Sequence, residues 1–187
     1  MSYSLEPAFA VAPGLSRKLV LAGMNPENQW FFTNGYFNSE AGLIEHEPNT
    51  WLTENFVVID EEVIIAYFHA TWNKPLNIIS GFRIILFEKN KAHIMVKAFF
   101  EYLDYLFVNR GCKVFNWIVA EKNIHAYKLY EKFINKYMGQ KVGKRTRGQM
   151  SYSGEISDIY LYEITETEYF AWKGKNNGRK NKEIVEF

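Results

Sequence analysis

The sequence predicts an α+β fold, an α/β sandwich in which a mixed, mostly antiparallel central sheet is flanked by helices. Three observations predict it. Three runs rich in β-branched and aromatic residues, Phe56–Ile59, Val63–Thr71 and Ile78–Phe87, follow one another across short polar turns, the pattern of antiparallel neighbours. Two amphipathic helical stretches, 92–110 and 123–137, enclose an almost wholly apolar segment, Val114–Val119, which suits a strand buried on both faces. The passage from Ile78 to Val119 is therefore strand, helix, strand, a crossover whose two strands belong in one sheet.

Each element has its own signal. The first third reads as helices and loops: Leu15–Met24 with Ser16 as its cap, then a break at Asn25-Pro26. An aromatic-dense segment, Gln29–Phe37, and an acidic one, Glu40–Glu47 ending at Pro48, complete it. In the helix of 92–110, Val96, Phe99, Leu103, Leu106 and Phe107 fall on one face, and Gly111 supplies a stop. In that of 123–137, Ala126, Tyr130, Phe133 and Tyr137 form a stripe; Asn123 stands at the N-cap and Gly139 beyond the end. A basic segment (Lys141 to Arg147), a Gly/Ser turn at 151–154 and a last strand, Ile156–Ile164, close the fold.

At 187 residues the chain is the size of one domain. The expected organisation is a single domain over 1–170, with a helical segment at 1–54 and the sheet-bearing core at 55–170. A basic flexible tail is expected at 171–187. Hydrophobic residues make up 48% and charged residues 23%, a globular composition. A net charge of +1 lacks the basic excess of a protein held to nucleic acid by electrostatics. The one cysteine, Cys112, excludes an internal disulfide and any Cys-rich metal site. No apolar run reaches the 18 or so residues of a membrane span, and the start shows no secretory signal. A cytoplasmic protein without membrane contact is expected. The four histidines, 46, 69, 93 and 125, are scattered, so no metal site is expected.

Phosphate-loop, nucleophile-elbow and zinc-protease motifs are absent. The segment Glu121-Lys122-Asn123-Ile124-His125-Ala126-Tyr127-Lys128-Leu129-Tyr130-Glu131-Lys132-Phe133 stands apart. An Asn opens a helix after a buried strand, Ala follows three residues on, and Leu-Tyr-x-Lys comes at the sixth to ninth positions. This resembles the N-x-x-A-x-x-L-Y-x-K segment of the GNAT superfamily of acyl-CoA-dependent N-acetyltransferases. The order of strands and helices over about 55–165 is similar to that family too.

The resemblance implies transfer of an acetyl group from acetyl-CoA, as co-substrate, to a primary amine by direct attack. It implies that Asn123 contacts the coenzyme A arm and that Tyr130 protonates the departing thiolate. It further implies that the third strand, at Ile84, Ile85 and Leu86, offers backbone hydrogen bonds to pantetheine across a splayed gap against 116–119. The family's glycine-rich pyrophosphate loop corresponds here to Glu88-Lys89-Asn90-Lys91-Ala92, which has no glycine. Lys89, Lys91 and Ala92, at a helix N-terminus, are then the expected phosphate contacts. A second departure is Phe133-Ile134-Asn135 in place of x-G-F.

Other readings stand beside these. Tyr130 also has the spacing of a core residue. Glu88 and His69 are the candidate general bases by position, and the aromatics of 30–37 are a candidate acceptor pocket. The alternative function is a GNAT-like domain without transferase activity, binding a protein or nucleic acid through its basic surface. The acceptor amine and the oligomeric state are not legible in the sequence.

Overall fold

A computed structural model describes residues 3–28, 30, 53–151 and 153–176. The expectations for the rest of 29–37, for 40–47 and for 177–187 fall outside the described residues.

The three predicted strands are β2 (Thr53–Asp60), β3 (Val63–Asn73) and β4 (Ile78–Leu86), preceded by a short β1 (Tyr3–Pro7) and the helix α1 (Ala12–Gly23). Helix α2 (Ala92–Asp104), strand β5 (Val114–Ala120) and helix α3 (Ile124–Lys136) follow; β6 (Gln140–Met150), β7 (Ile156–Thr165) and α4 (Glu166–Asn176) end the described chain. The seven strands form one sheet in the order β1-β2-β3-β4-β5-β7-β6. Its pairs are antiparallel except β4 with β5, which are parallel across the connection through α2.

The fold class stands as expected, and two strands are additions. β1 is short, half-buried throughout and ends in Pro7, which only an edge strand tolerates. β6 is mostly exposed and carries Lys141, Lys144, Arg145 and Arg147, so no apolar alternation marks it. Helix α1 begins at Ala12, ahead of the expected start, so Ser16 lies inside it rather than at its cap. The predicted 92–110 helix is real, but its last turn, Tyr105–Asn109, is π-helical, and Gly111 stops it at φ 65°. Helix α4 runs through Asn176, so the boundary expected at 170 falls inside it, and Lys173 pairs with Asp104 on α2 at 2.8 Å.

The two faces of the sheet are filled differently. Against α2, α3 and α4 lies a core of aromatics: Phe68, Phe82, Phe99, Tyr102, Phe115, Trp117 and Phe133 are all buried. Phe82 stacks on Phe99 at 5.2 Å and on Tyr102 at 5.6 Å, and meets Phe115 at 4.8 Å. Pairs of this kind add about 0.5–1.5 kcal/mol each beyond the area they bury. Helix α4 closes this layer with Trp172 stacked on Phe100 and Tyr169 on Phe107. The other face holds a smaller cluster, in which Leu15, Leu19 and Ala22 of α1 cover Val57, Ile64, Tyr67 and Ile85.

Candidate functional site

The site begins with a break in the sheet. β4 pairs with β5 only at Ile78–Val114 and Ile79–Phe115, while β5 pairs with β7 along its whole length. The register of β3 with β4 shows where the strand turns away. His69 faces Arg83 and Thr71 faces Ser80, so Gly81 and Phe82 together oppose Ala70. This is a β-bulge, with Gly81 at φ 63° supplying the left-handed residue such a bend needs. Phe82, buried among Phe99, Tyr102 and Phe115, anchors it.

Past the bulge, the backbone of β4 alternates between β3 and the gap. The Phe87 N–H donates to the Ile65 carbonyl at 2.8 Å, so 87 and 65 form a hydrogen-bonded pair in register with the β3–β4 ladder. By antiparallel alternation 85 with 67 and 83 with 69 are also hydrogen-bonded, and 86 with 66 and 84 with 68 are not. Ile84 and Leu86 therefore turn their N–H and C=O groups away from β3, toward the gap, and Ile85 commits its own to Tyr67. Of the three residues expected to offer backbone bonds, two have them on offer.

Asn123 stands where β5 leads into α3. Its Oδ1 accepts from the Ala126 N–H at 3.3 Å and caps the helix. Tyr130 lies two turns on, half-buried, its ring 5.4 Å from Trp117 on β5 and 6.0 Å from Tyr162 on β7. Tyr162 is pinned in turn by donating to Glu131 at 2.6 Å and stacks on Trp117 at 5.5 Å. The Tyr130 ring packs against the core, and its hydroxyl has no hydrogen-bond partner among the described residues. Burial pushes that hydroxyl above the ordinary tyrosine range, so it keeps its proton at neutral pH. Beside it, the Trp117 indole N–H is buried without an acceptor among the described residues.

The remaining expected contacts diverge. Ala92 begins α2, and neither Glu88, ahead of the turn of Lys89–Lys91, nor Lys91, ahead of the helix, makes a side-chain cap bond among the described residues. Lys89 is exposed. Lys91 reaches back to the β2–β3 turn, where its Nζ meets Asp60 Oδ2 at 2.5 Å and Glu61 Oε2 at 3.0 Å. Those carboxylates hold its ammonium above the ordinary lysine range. Glu88, one candidate base, faces Lys18 of α1 at 3.5 Å.

The opposite face of the sheet carries polar groups that the sequence did not single out as a set. Asn55 on β2, only 1% exposed, sits beside His69 on β3. Its Oδ1 accepts from the Tyr67 hydroxyl at 3.1 Å and lies 2.7 Å from His69 Nδ1. Arg83 of β4 is the register partner of His69. On the same face of β5, beyond the gap, Ile118 is 41% exposed although its strand is central. Trp30 is buried near this side, and its carbonyl accepts from Gln149 Nε2 of β6 at 2.8 Å, which ties the first third of the chain to the β6–β7 hairpin. Among the described residues no group of three or more His, Cys, Asp and Glu is placed to hold a metal ion. None of their helices is long and apolar enough to cross a membrane.

The overall fold is shared with solved acetyltransferase structures. A spermidine N-acetyltransferase from Vibrio cholerae, solved in complex with CoA and spermine, superposes with a TM-score of 0.69 at 20% identity, over 90% of this chain and 98% of that one. A chimera of the Vibrio cholerae SpeG spermidine N-acetyltransferase and hSSAT gives 0.70 at 17% identity, over 91% and 99%. No protein-family model matches the sequence, and no curated protein does. The chain has the GNAT acetyltransferase fold, as its Asn123–Tyr130 segment led us to expect.

Proposed function

We propose that this protein is an N-acetyltransferase that moves an acetyl group from acetyl-CoA to a primary amine. The observation that carries the reading is the unpaired edge of β4 at Ile84 and Leu86, where the β4–β5 ladder has stopped, with Asn123 capping the helix that follows β5 and Tyr130 of that helix packed on Trp117. An extended amide-bearing chain such as pantetheine pairs with such an edge as a strand would. The likeness to a fold solved with CoA and spermine supports the same ligand here.

In this reading the diphosphate meets the N-terminal N–H groups of the 89–92 turn and α2, aided by the helix dipole and by Lys89. Lys91 contributes little charge, because Asp60 and Glu61 already neutralise it. The amine attacks the thioester carbon, and the oxyanion gains from β4 N–H donors. The carbon–sulfur bond breaks, and the protonated Tyr130 hydroxyl donates to the thiolate. A cytoplasmic location goes with this reading, and the unpaired, buried Cys112 is consistent with it. The non-enzymatic alternative rests on the missing loop glycines, which the uncapped helix end makes less necessary.

Calorimetric titration with acetyl-CoA tests the reading. Saturable heat, with release of free thiol when an amine panel is added, is the expected result. No heat and no thermal shift at millimolar acetyl-CoA would leave only the non-enzymatic reading.

A further inference from the structure

Lys91 stands directly before α2, and it adds little charge there as long as both carboxylates of the β2–β3 turn hold it. They hold it unequally. Asp60 is only 4% exposed and lies 2.5 Å from Lys91 Nζ; Glu61 meets the same ammonium at 3.0 Å with a side chain 79% exposed. A buried carboxylate stripped of its cation is costly, so the Asp60 contact is the fixed one. A contact to so exposed a carboxylate gains little over water, so that of Glu61 is exchangeable.

The backbone under Glu61 is unusual. Asp60 pairs with Val63, so Glu61 and Glu62 are the two loop residues of the hairpin, and both lie in the left-handed region, at φ 51° and 66°. Asn-Gly or Asp-Gly ordinarily fills such a turn. Two glutamates there are strained, and both side chains are exposed, so packing does not call for them. One of the two rests on Lys91. The other, Glu62, has no ion pair or hydrogen bond among the described residues.

We propose that Glu61 is a stand-in for a coenzyme phosphate: it occupies Lys91 in the free protein and gives way when the diphosphate arrives, while Asp60 keeps the lysine anchored. This rests on the acetyl-transfer reading above, which puts the diphosphate at the 89–92 turn. The ammonium has three N–H donors. One stays with Asp60, and the one held by Glu61 turns to a phosphate oxygen on its flexible four-carbon stem. No covalent bond changes. Glu61 returns to water, and Lys91 exchanges a carboxylate for a phosphate partner. The turn therefore holds coenzyme affinity down by the strength of the contact that must be given up.

Calorimetric titration of the whole protein and three variants with acetyl-CoA tests this. Glu61→Gln is expected to tighten binding about two- to fivefold. Glu62→Gln removes an equal charge from the same turn without touching Lys91, and is expected to leave affinity nearly unchanged. In Lys91→Met binding weakens, and adding Glu61→Gln brings no gain because no ammonium is left to release. Should Lys91→Met fail to fold with Asp60 stranded, the comparison of Glu61→Gln with Glu62→Gln decides alone. Equal gains in those two variants would reduce the effect to net charge and overturn the proposal. So would an unchanged affinity in Glu61→Gln, or a gain that survives in Lys91→Met. A wild type that binds no acetyl-CoA strikes the acetyl-transfer reading and this inference with it; binding without the expected differences strikes this inference alone.

Discussion

The two edges of β5 are built from the same residues and meet opposite fates. Toward β7 every position from Val114 to Ala120 is paired; toward β4 the ladder stops after Phe115. The difference lies in the partner. β7 is a regular strand, whereas β4 carries a two-residue bulge at Gly81 and Phe82 that adds local twist and bends it away. A sheet this rich in β-branched and aromatic residues closes wherever it can. Here one glycine and one anchored phenylalanine keep it open, and the open edge is where the candidate site lies.

The largest expected effect comes from removing the anchor. Phe82→Ala leaves a cavity among Phe99, Tyr102 and Phe115 and costs about 3–5 kcal/mol of stability, read as a lower denaturant midpoint. If the opening depends on that anchor, acetyl-CoA affinity falls as well under conditions where the variant is still folded. Next is Tyr130→Phe, expected to slow turnover by about 10²-fold while leaving acetyl-CoA affinity and the denaturation midpoint nearly unchanged, since only an unpartnered hydroxyl is lost. Because burial raises the Tyr130 pKa, the acid form persists as pH rises, so the wild-type rate shows no alkaline loss from this group up to about pH 10. An alkaline limb near neutrality that vanishes in Tyr130→Phe would contradict this.

Gly81→Val tests the bend itself. The nearest atom to a new Cβ is Thr71 Oγ1 at 3.8 Å, so space is not the obstacle; φ at 63° is. The strain costs about 1–2 kcal/mol, and relief by flattening the bulge would draw β4 toward β5 and weaken acetyl-CoA binding. The smallest effect is at the start of α3. Asn123→Ala removes the α3 cap at a cost of about 1 kcal/mol, seen as a modest drop in melting temperature with reduced coenzyme affinity.

Much of this was legible in the sequence, and the reasons differ by element. β2 to β5 and β7 announced themselves through runs of β-branched and aromatic residues between turns, and α2 and α3 through helical periodicity. Asn123 was legible because capping is local. β1 and β6 were hidden, since edge strands need no apolar alternation and β6 is basic and mostly exposed. The gap was expected from the family resemblance, but its cause was not. A glycine inside a strand pattern signals a bulge, and Gly81 carried that signal. The partnership of Asn55 with His69 spans two strands, and its register was beyond local reading. So was the diversion of Lys91 to Asp60 and Glu61, a contact between two separate turns.

In the proposed reaction acetyl-CoA pairs with the open edge of β4 as an added strand would. Amide hydrogen exchange, residue by residue, with and without acetyl-CoA, tests it most directly. The amides of Ile84 and Leu86 are expected to become strongly protected on binding, while that of Ile85, committed to Tyr67, is unchanged. Saturating acetyl-CoA with no added protection at Ile84 and Leu86 would contradict it.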